Sequence, residues 1–204
     1  MTSPTPRTLD QARINSPTSH PDFQLPWIQA ILCNPTTKIT PLVTSGSQRT
    51  SEENATRNNN TMLNQTLTHP TGLRARITFQ RPCTEPDSLT KREFCFLLSL
   101  GTGLDGASGR AHGGFSSLVM DDLLGNCAYT EAERGGYPPA TATLTVDYRA
   151  PVKTPGVVLA RAWMVSWEGR KIWLKGVVED GTGGVCNAAR ALYINPREEG
   201  KAAL

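Results

Sequence analysis

Several things this 204-residue chain has little of narrow its reading before any motif does. No stretch approaches the roughly 18 consecutive apolar residues that a spanning helix needs, so no membrane span is expected and the chain reads as soluble. Histidine occurs only three times, and the five cysteines (Cys33, Cys83, Cys95, Cys127 and Cys186) are odd in number, scattered and never in a C-x-x-C pair. That spacing argues against a disulfide framework and against a zinc site, so no metal and no other cofactor is expected and the thiols read as reduced and mostly buried. A net charge of +3, without a basic run carrying interleaved aromatics, gives no case for a nucleic-acid partner. A small ligand bearing phosphate stays open. The opening "MTSPTPRTLDQARINSPTSHPDF" has no apolar core of the secretory kind, and its prolines and Asp10 weaken a mitochondrial leader. A cytoplasmic location is the expectation, with a mitochondrial one as the alternative. The Asn-x-Ser/Thr matches at Asn54, Asn59 and Asn64 would matter only in a secreted chain.

What is present divides the chain by composition. Residues 1–72 are rich in Pro, Ser, Thr and Asn, and "SGSQRTSEENATRNNNT" reads as a solvated loop, so this extension is expected to be largely irregular and to hold little core. Within it Trp27, Ile28, Ile31 and Leu32 fall at helical spacing, which predicts one short capping helix near 25–33, ended before Pro35. From Leu73 the period changes. "LRARITF" (73–79) alternates as a strand buried on one face does, and "EFCFLLSL" (93–100) is the continuous apolar run of a strand covered on both faces. After a glycine-rich loop (101–114) and a helix come "ATATLTVDYRA", "GVVLARAWMVSW", "KIWLKGVVED" and "GVCNAARALYI", the last three separated by the turn signals "EGR" and "DGTGG". Two strands, a helix and four strands predict an α+β domain over 73–195, an antiparallel sheet wrapped round one central helix, with a tail at 196–204.

That helix carries the chemical question. "GRAHGGFSSLVMDDLLGNC" (109–127) sets two adjacent aspartates in an apolar helix, where an ionised carboxylate costs several kcal/mol (order of magnitude) unless paired or solvated. Residues three, four and seven positions from Asp121 are Gly114, Ser117, Leu118, Leu124, Gly125 and Ala128, mostly small side chains that leave room for a substrate; Asp122 is rotated by about 100°. Asp121 therefore has a better claim to chemistry than Asp122, against the bland alternative that an aspartate in a helix is solvated or ion-paired. Gly113 and Gly114 open the helix, where unpaired N–H groups without a neighbouring Cβ can receive a developing oxyanion.

"HGGFSSLVMDDLLG" resembles the central-helix motif of the hotdog-fold acyl-CoA thioesterases of the phenylacetate-pathway (PaaI) branch, with Asp121 nine positions after His112. "LSLGTGLDG", "TATLTVDYRAPV" and "WEGRKIW" are similar to the mitochondrial thioesterase-superfamily members and their fungal relatives, over about residues 73–194. The resemblance implies a hotdog fold and a homodimer with active sites at the subunit interface, with tetramers as a further option. It implies that the Gly113 N–H, aided by Gly114, polarises the thioester carbonyl. Asp121 of the facing subunit would act as general base or nucleophile, Thr141 would orient the carboxylate or the water, and His112 would hold the loop. Gly106 stands where some relatives carry Asn or Gln.

An acyl-CoA or acyl-carrier thioester would be the substrate, and Arg149, Lys153, Arg170 and Lys171 are candidate partners for CoA phosphates. Cys127 lacks a matched His and Asp and reads as a core thiol. Two other functions compete with hydrolysis. One is a biosynthetic hotdog enzyme that releases, dehydrates or isomerises a polyketide or fatty intermediate, although Asp105 and His112 do not match the hydratase spacing. The other is a non-catalytic acyl-binding protein.

Overall fold

The computed structural model describes residues 17–40, 61–132 and 138–196. In chain order these residues form helix α1 (Pro26–Leu32), strands β1 (Lys38–Thr40), β2 (Leu73–Pro82) and β3 (Arg92–Leu100), and a small hairpin, β4 (Asp105–Ala107) and β5 (Arg110–Ala111). Helix α2 (Gly113–Ala132) and strands β6 (Ala140–Tyr148), β7 (Gly156–Glu168), β8 (Lys171–Glu179) and β9 (Val185–Ile194) follow. Seven strands make one antiparallel sheet in the order β1-β2-β3-β7-β8-β9-β6, and α2 packs against β3, β6, β7, β8 and β9. The α+β expectation of two long strands, a helix and four more strands holds, and the two predicted turns join β7 to β8 and β8 to β9. The edge strand β1 and the β4–β5 hairpin were not foreseen, being two or three residues long and lacking an apolar period.

Strand β3 explains why the core has two compartments. Phe94, Phe96, Leu98 and Leu100 face α2 in the larger apolar cluster, while Cys95 and Leu97 face the other way, into a second one. Its continuous apolar run is thus buried on both sides, as expected. Strand β2 departs from the simple one-face alternation: a register shift after Leu73 sends that residue to the α2 side while Ala75, Ile77 and Phe79 point away from it, and Thr78 and Arg76 on the α2 side are largely buried too. Phe23 and Ile28, both fully buried, cover that outer face, in one cluster with Cys95 and Leu97 of β3 and Leu159 of β7. The predicted capping helix is α1, yet the region before it holds more core than its composition suggested, because a few large side chains suffice when a sheet already offers an apolar face. Burying each contributes about 1.5–3 kcal/mol. Two polar contacts fix the same segment: Asp22 accepts a hydrogen bond from the buried Ser99 hydroxyl and pairs with Arg74 at 2.8 Å.

Helix α2 buries residues in adjacent pairs, 115/116, 119/120, 123/124, 127/128 and 131/132, a broad stripe filled by Phe115, Val119, Met120, Leu123, Leu124 and Cys127. Asp121 and Asp122 fall between those pairs, on the half-buried side. Strand β6 is a terminal strand of the sheet, paired only with β9 and exposed along most of its length. No described helix is long and apolar enough to cross a membrane.

Candidate active site

The two aspartates have opposite surroundings. Asp122 lies 3.3 Å from the Arg76 guanidinium, both side chains nearly buried, and it also accepts a hydrogen bond from Asn126 at 3.1 Å. Arg76 is held in turn by Asn64 Oδ1 and by the Phe96 ring. Asp121 has no cation against it among the described residues. Two hydroxyls approach its Oδ1, Thr141 at 2.8 Å and Tyr193 at 2.9 Å, and the single Tyr193 O–H is shared between that oxygen and the Asp121 backbone carbonyl at 2.7 Å. Burial, with the Asp121 carboxylate beside it, drives the Tyr193 phenol well above its usual range, so it stays a donor. Both hydroxyls lie on one oxygen, and among the described residues none bonds to Oδ2.

Tyr193 was missed by sequence reasoning, since nothing local marks it. It lies on the face of β9 that meets α2, and Gly125, one turn along the helix from Asp121, leaves space for its ring: a Cβ there would sit 3.4 Å from it.

The start of α2 forms a second cluster. His112 caps the helix: its Nδ1 accepts the Gly114 N–H at 2.9 Å, and its backbone N–H bonds to Leu104 O. His112 thus holds the loop, and the Gly114 N–H is already engaged. Gly113 keeps an N–H without an acceptor among the described residues, as the first helical position does by construction. Both glycine and loop identity follow from close contact: a Cβ at Gly114 would lie 2.9 Å from His112 Nδ1, and one at Gly106 would lie 2.8 Å from His112 Cα. The absence of Asn or Gln at 106 therefore has a local cause. Asp105 is spent on the same loop, accepting from the Gly109 N–H at 3.0 Å and from Thr154.

Tyr148, also not foreseen, closes this cluster by donating to the Gly113 carbonyl at 3.2 Å and sharing a hydrogen bond with Ser117. Here a cavity of about 430 Å³ opens, lined among others by Arg110, His112, Gly113, Tyr148, Arg149 and Asn187.

The candidate residues therefore fall into two groups. Asp121 stands eight residues after Gly113 on one straight helix, about 12 Å along its axis. Thr141 and Tyr148 mark the same division at opposite ends of β6, about 23 Å apart along the strand. Arg149 lines the cavity, and Lys153 is next to it through a bridge with Arg110. Arg170 and Lys171 lie at the other end of the sheet, beside Ile194 and Asn195. Cys127 is buried in the core, its thiol pushed up by burial and directed at Ala162 O, as expected of a packed side chain.

Residues 108–187, running from the loop before α2 to Asn187 in β9, match the model of the thioesterase superfamily, and this part of the chain is similar to acyl-coenzyme A thioesterases. Among its relatives are acyl-coenzyme A thioesterase THEM4 of Rattus norvegicus, 32% identical over 44% of this chain and 36% of that protein, and THEM4 of Bos taurus, 33% identical over 41% and 32%. The chain thus spans about a third of the length of the curated relatives it matches. A thioesterase of Haemophilus influenzae of known structure is 14% identical, with 60% of this chain and 82% of that one covered at a TM-score of 0.48.

Proposed function

We propose that the protein hydrolyses acyl thioesters of coenzyme A in a site completed by a second copy of the chain. The observation that carries this reading is the division of the site. A free N–H beside a cavity and a carboxylate oriented by two hydroxyls sit about 12 Å apart along one helix, too far to act on one carbonyl within one chain. A neighbouring copy related by a two-fold axis would bring its Asp121 to this Gly113, and the open edge of β6 offers backbone groups for such an approach.

In that site the thioester carbonyl oxygen accepts a hydrogen bond from the Gly113 N–H at the positive end of α2. Water bound to Asp121 Oδ2 attacks the carbonyl carbon and gives its proton to the carboxylate while the oxyanion forms at Gly113. Collapse of the intermediate breaks the C–S bond, and the proton on Asp121 goes to the departing thiolate. Thr141 and Tyr193 keep the carboxylate turned for this exchange. Arg149 and Lys153 of one copy, with Arg170 and Lys171 of the other, supply cations for the CoA phosphates.

The test is thiol release from a panel of acyl-CoAs, acetyl to long-chain and aromatic, by the wild type and by Asp121→Asn. Turnover by the wild type, with a loss of about 10²–10⁴-fold in the variant, is expected for the removal of a general base. Acyl-CoA binding without thiol release across the panel would replace hydrolysis by an acyl-binding role.

A further inference from the structure

The first turn of α2 opens with residues that do not hold a conformation by themselves. Gly113 and Gly114 carry no Cβ to restrict φ and ψ, and glycine is a poor helix former. Ties from outside the helix offset this. The Gly113–Gly114 peptide is held at both ends: His112 Nδ1 accepts its N–H at 2.9 Å, and the Tyr148 hydroxyl donates to its carbonyl, Gly113 O, at 3.2 Å. The adjoining His112–Gly113 peptide carries the N–H proposed for the thioester carbonyl, and its own carbonyl accepts the Ser116 N–H at 3.2 Å. Gly113 is the joint between these two peptides.

Packing does not account for Tyr148. It ends β6, a terminal strand of the sheet, and is 56% exposed, so burial contributes little there. Its phenol nevertheless bonds twice to α2. The one hydrogen goes to Gly113 O, so in the 2.5 Å contact with Ser117 Oγ the serine is the donor. Ser117 lies one turn after Gly113, and the chain from Ser117 through Tyr148 to Gly113 O braces that turn from outside. The ring edge closes on Gly113 as well, since a Cβ there would sit 3.5 Å from Tyr148 Cε1. On the reading that the Gly113 N–H receives the thioester carbonyl, we propose that Tyr148 is a positioning residue that fixes the direction of that N–H. It acts through the Gly113 backbone and moves no proton. A donor that wanders weakens the bond to the developing oxyanion more than the binding of the ester, so the effect belongs in kcat rather than KM.

The experiment combines acyl-CoA hydrolysis with ¹⁵N relaxation of the backbone amides, on the full chain, for the wild type, Tyr148→Phe, Ser117→Ala and the double variant. Tyr148→Phe keeps the ring and removes only the hydroxyl. Its kcat should fall about tenfold with KM within about twofold of the wild type, the pattern of a contact that matters only in the transition state. Ser117→Ala should lower kcat less, and the double variant no further than Tyr148→Phe alone, since the serine acts through the phenol. In Tyr148→Phe the Gly113 and Gly114 amides should become more mobile while that of Gly125, in the middle of α2, stays as it was. Undiminished kcat in Tyr148→Phe, a loss carried by KM, additive losses in the double variant, or a Gly113 amide as rigid as in the wild type overturns the assignment. A wild type that turns over no acyl-CoA, with Gly113 loosened in Tyr148→Phe, would remove the hydrolase reading and uphold Tyr148 as the residue that holds this N–H, so the two fail separately.

Discussion

Replacing Asp122 by Asn removes the carboxylate charge that faces Arg76 and leaves Asp121, Thr141 and Tyr193 untouched. Side-chain exposures of 11% for Arg76 and 9% for Asp122 place the pair in the nearly buried class. Breaking such a pair costs about 3–5 kcal/mol when the remaining ion is left alone. Arg76 is not left alone: Asn64 Oδ1 is 2.5 Å from one of its nitrogens, and its guanidinium carbon stays 5.1 Å from the Phe96 ring centroid. Those contacts recover part of the loss, so about 2 kcal/mol is expected, and for a domain of this size that is about 4–8 °C in Tm. Thermal unfolding followed by circular dichroism measures the shift, and thiol release measures kcat/KM, which should remain within about twofold of the wild type. A cycle with Arg76→Leu should show the double variant losing less than the sum of the two single ones. An unchanged Tm would refute the pairing argument. Lost turnover at unchanged Tm would mean that the roles of the two aspartates are reversed.

Two further outcomes concern the core. Phe23→Ala should cost about 3–4 kcal/mol in urea unfolding, the usual penalty for emptying a closed aromatic site, and a loss below about 1 kcal/mol would show that the segment before α1 is not part of the cooperative fold. Stability should fall at alkaline pH, because burial raises the folded-state pKa of Cys95, Cys127 and Tyr193. For a group raised in this way the contribution is whole below its unfolded pKa, about 8.5 for the thiols and 10 for the phenol, and is lost as pH climbs from there toward the folded value, by up to about 1.4 kcal/mol per unit and group. Urea melts from pH 8 to 10.5 should therefore show a flatter decline for Cys127→Ala than for the wild type, and parallel declines would contradict it.

The parts of the fold legible in the sequence are those where one period dominates. Alternation marks β2, a continuous apolar run marks β3, and glycine turns separate β7, β8 and β9; each depends on neighbours a few residues away. What covers a face is set by residues far along the chain. The apolar side of β2 could be recognised, but not that Phe23 and Ile28 rather than α2 lie against it. The same holds at the candidate site. Asp121, Gly113, Thr141 and His112 sit in or near a local motif. Tyr193 and Asn187 reach the site from β9, 72 and 66 positions after Asp121, through a strand register that no short window encodes. Small residues on one helix face set Asp121 apart from Asp122, but the ion pair that holds Asp122 depends on Arg76, 46 positions earlier on β2, which no local pattern on the helix encodes.

The covering of the sheet's outer surface is unequal, and this limits how copies can stack. Phe23, Ile28 and Trp27 occupy the backs of β2, β3 and β7, so that half is closed to another molecule. On β8 the outward residues Lys171, Trp173 and Lys175 are exposed, with Trp173 42% accessible. Any assembly that lays two sheets back to back must then meet on the β8, β9 and β6 half, offset from the centre, with lysines at the seam. Among the described residues the back of the sheet is thus split, apolar and covered behind β2, β3 and β7, charged and exposed behind β8.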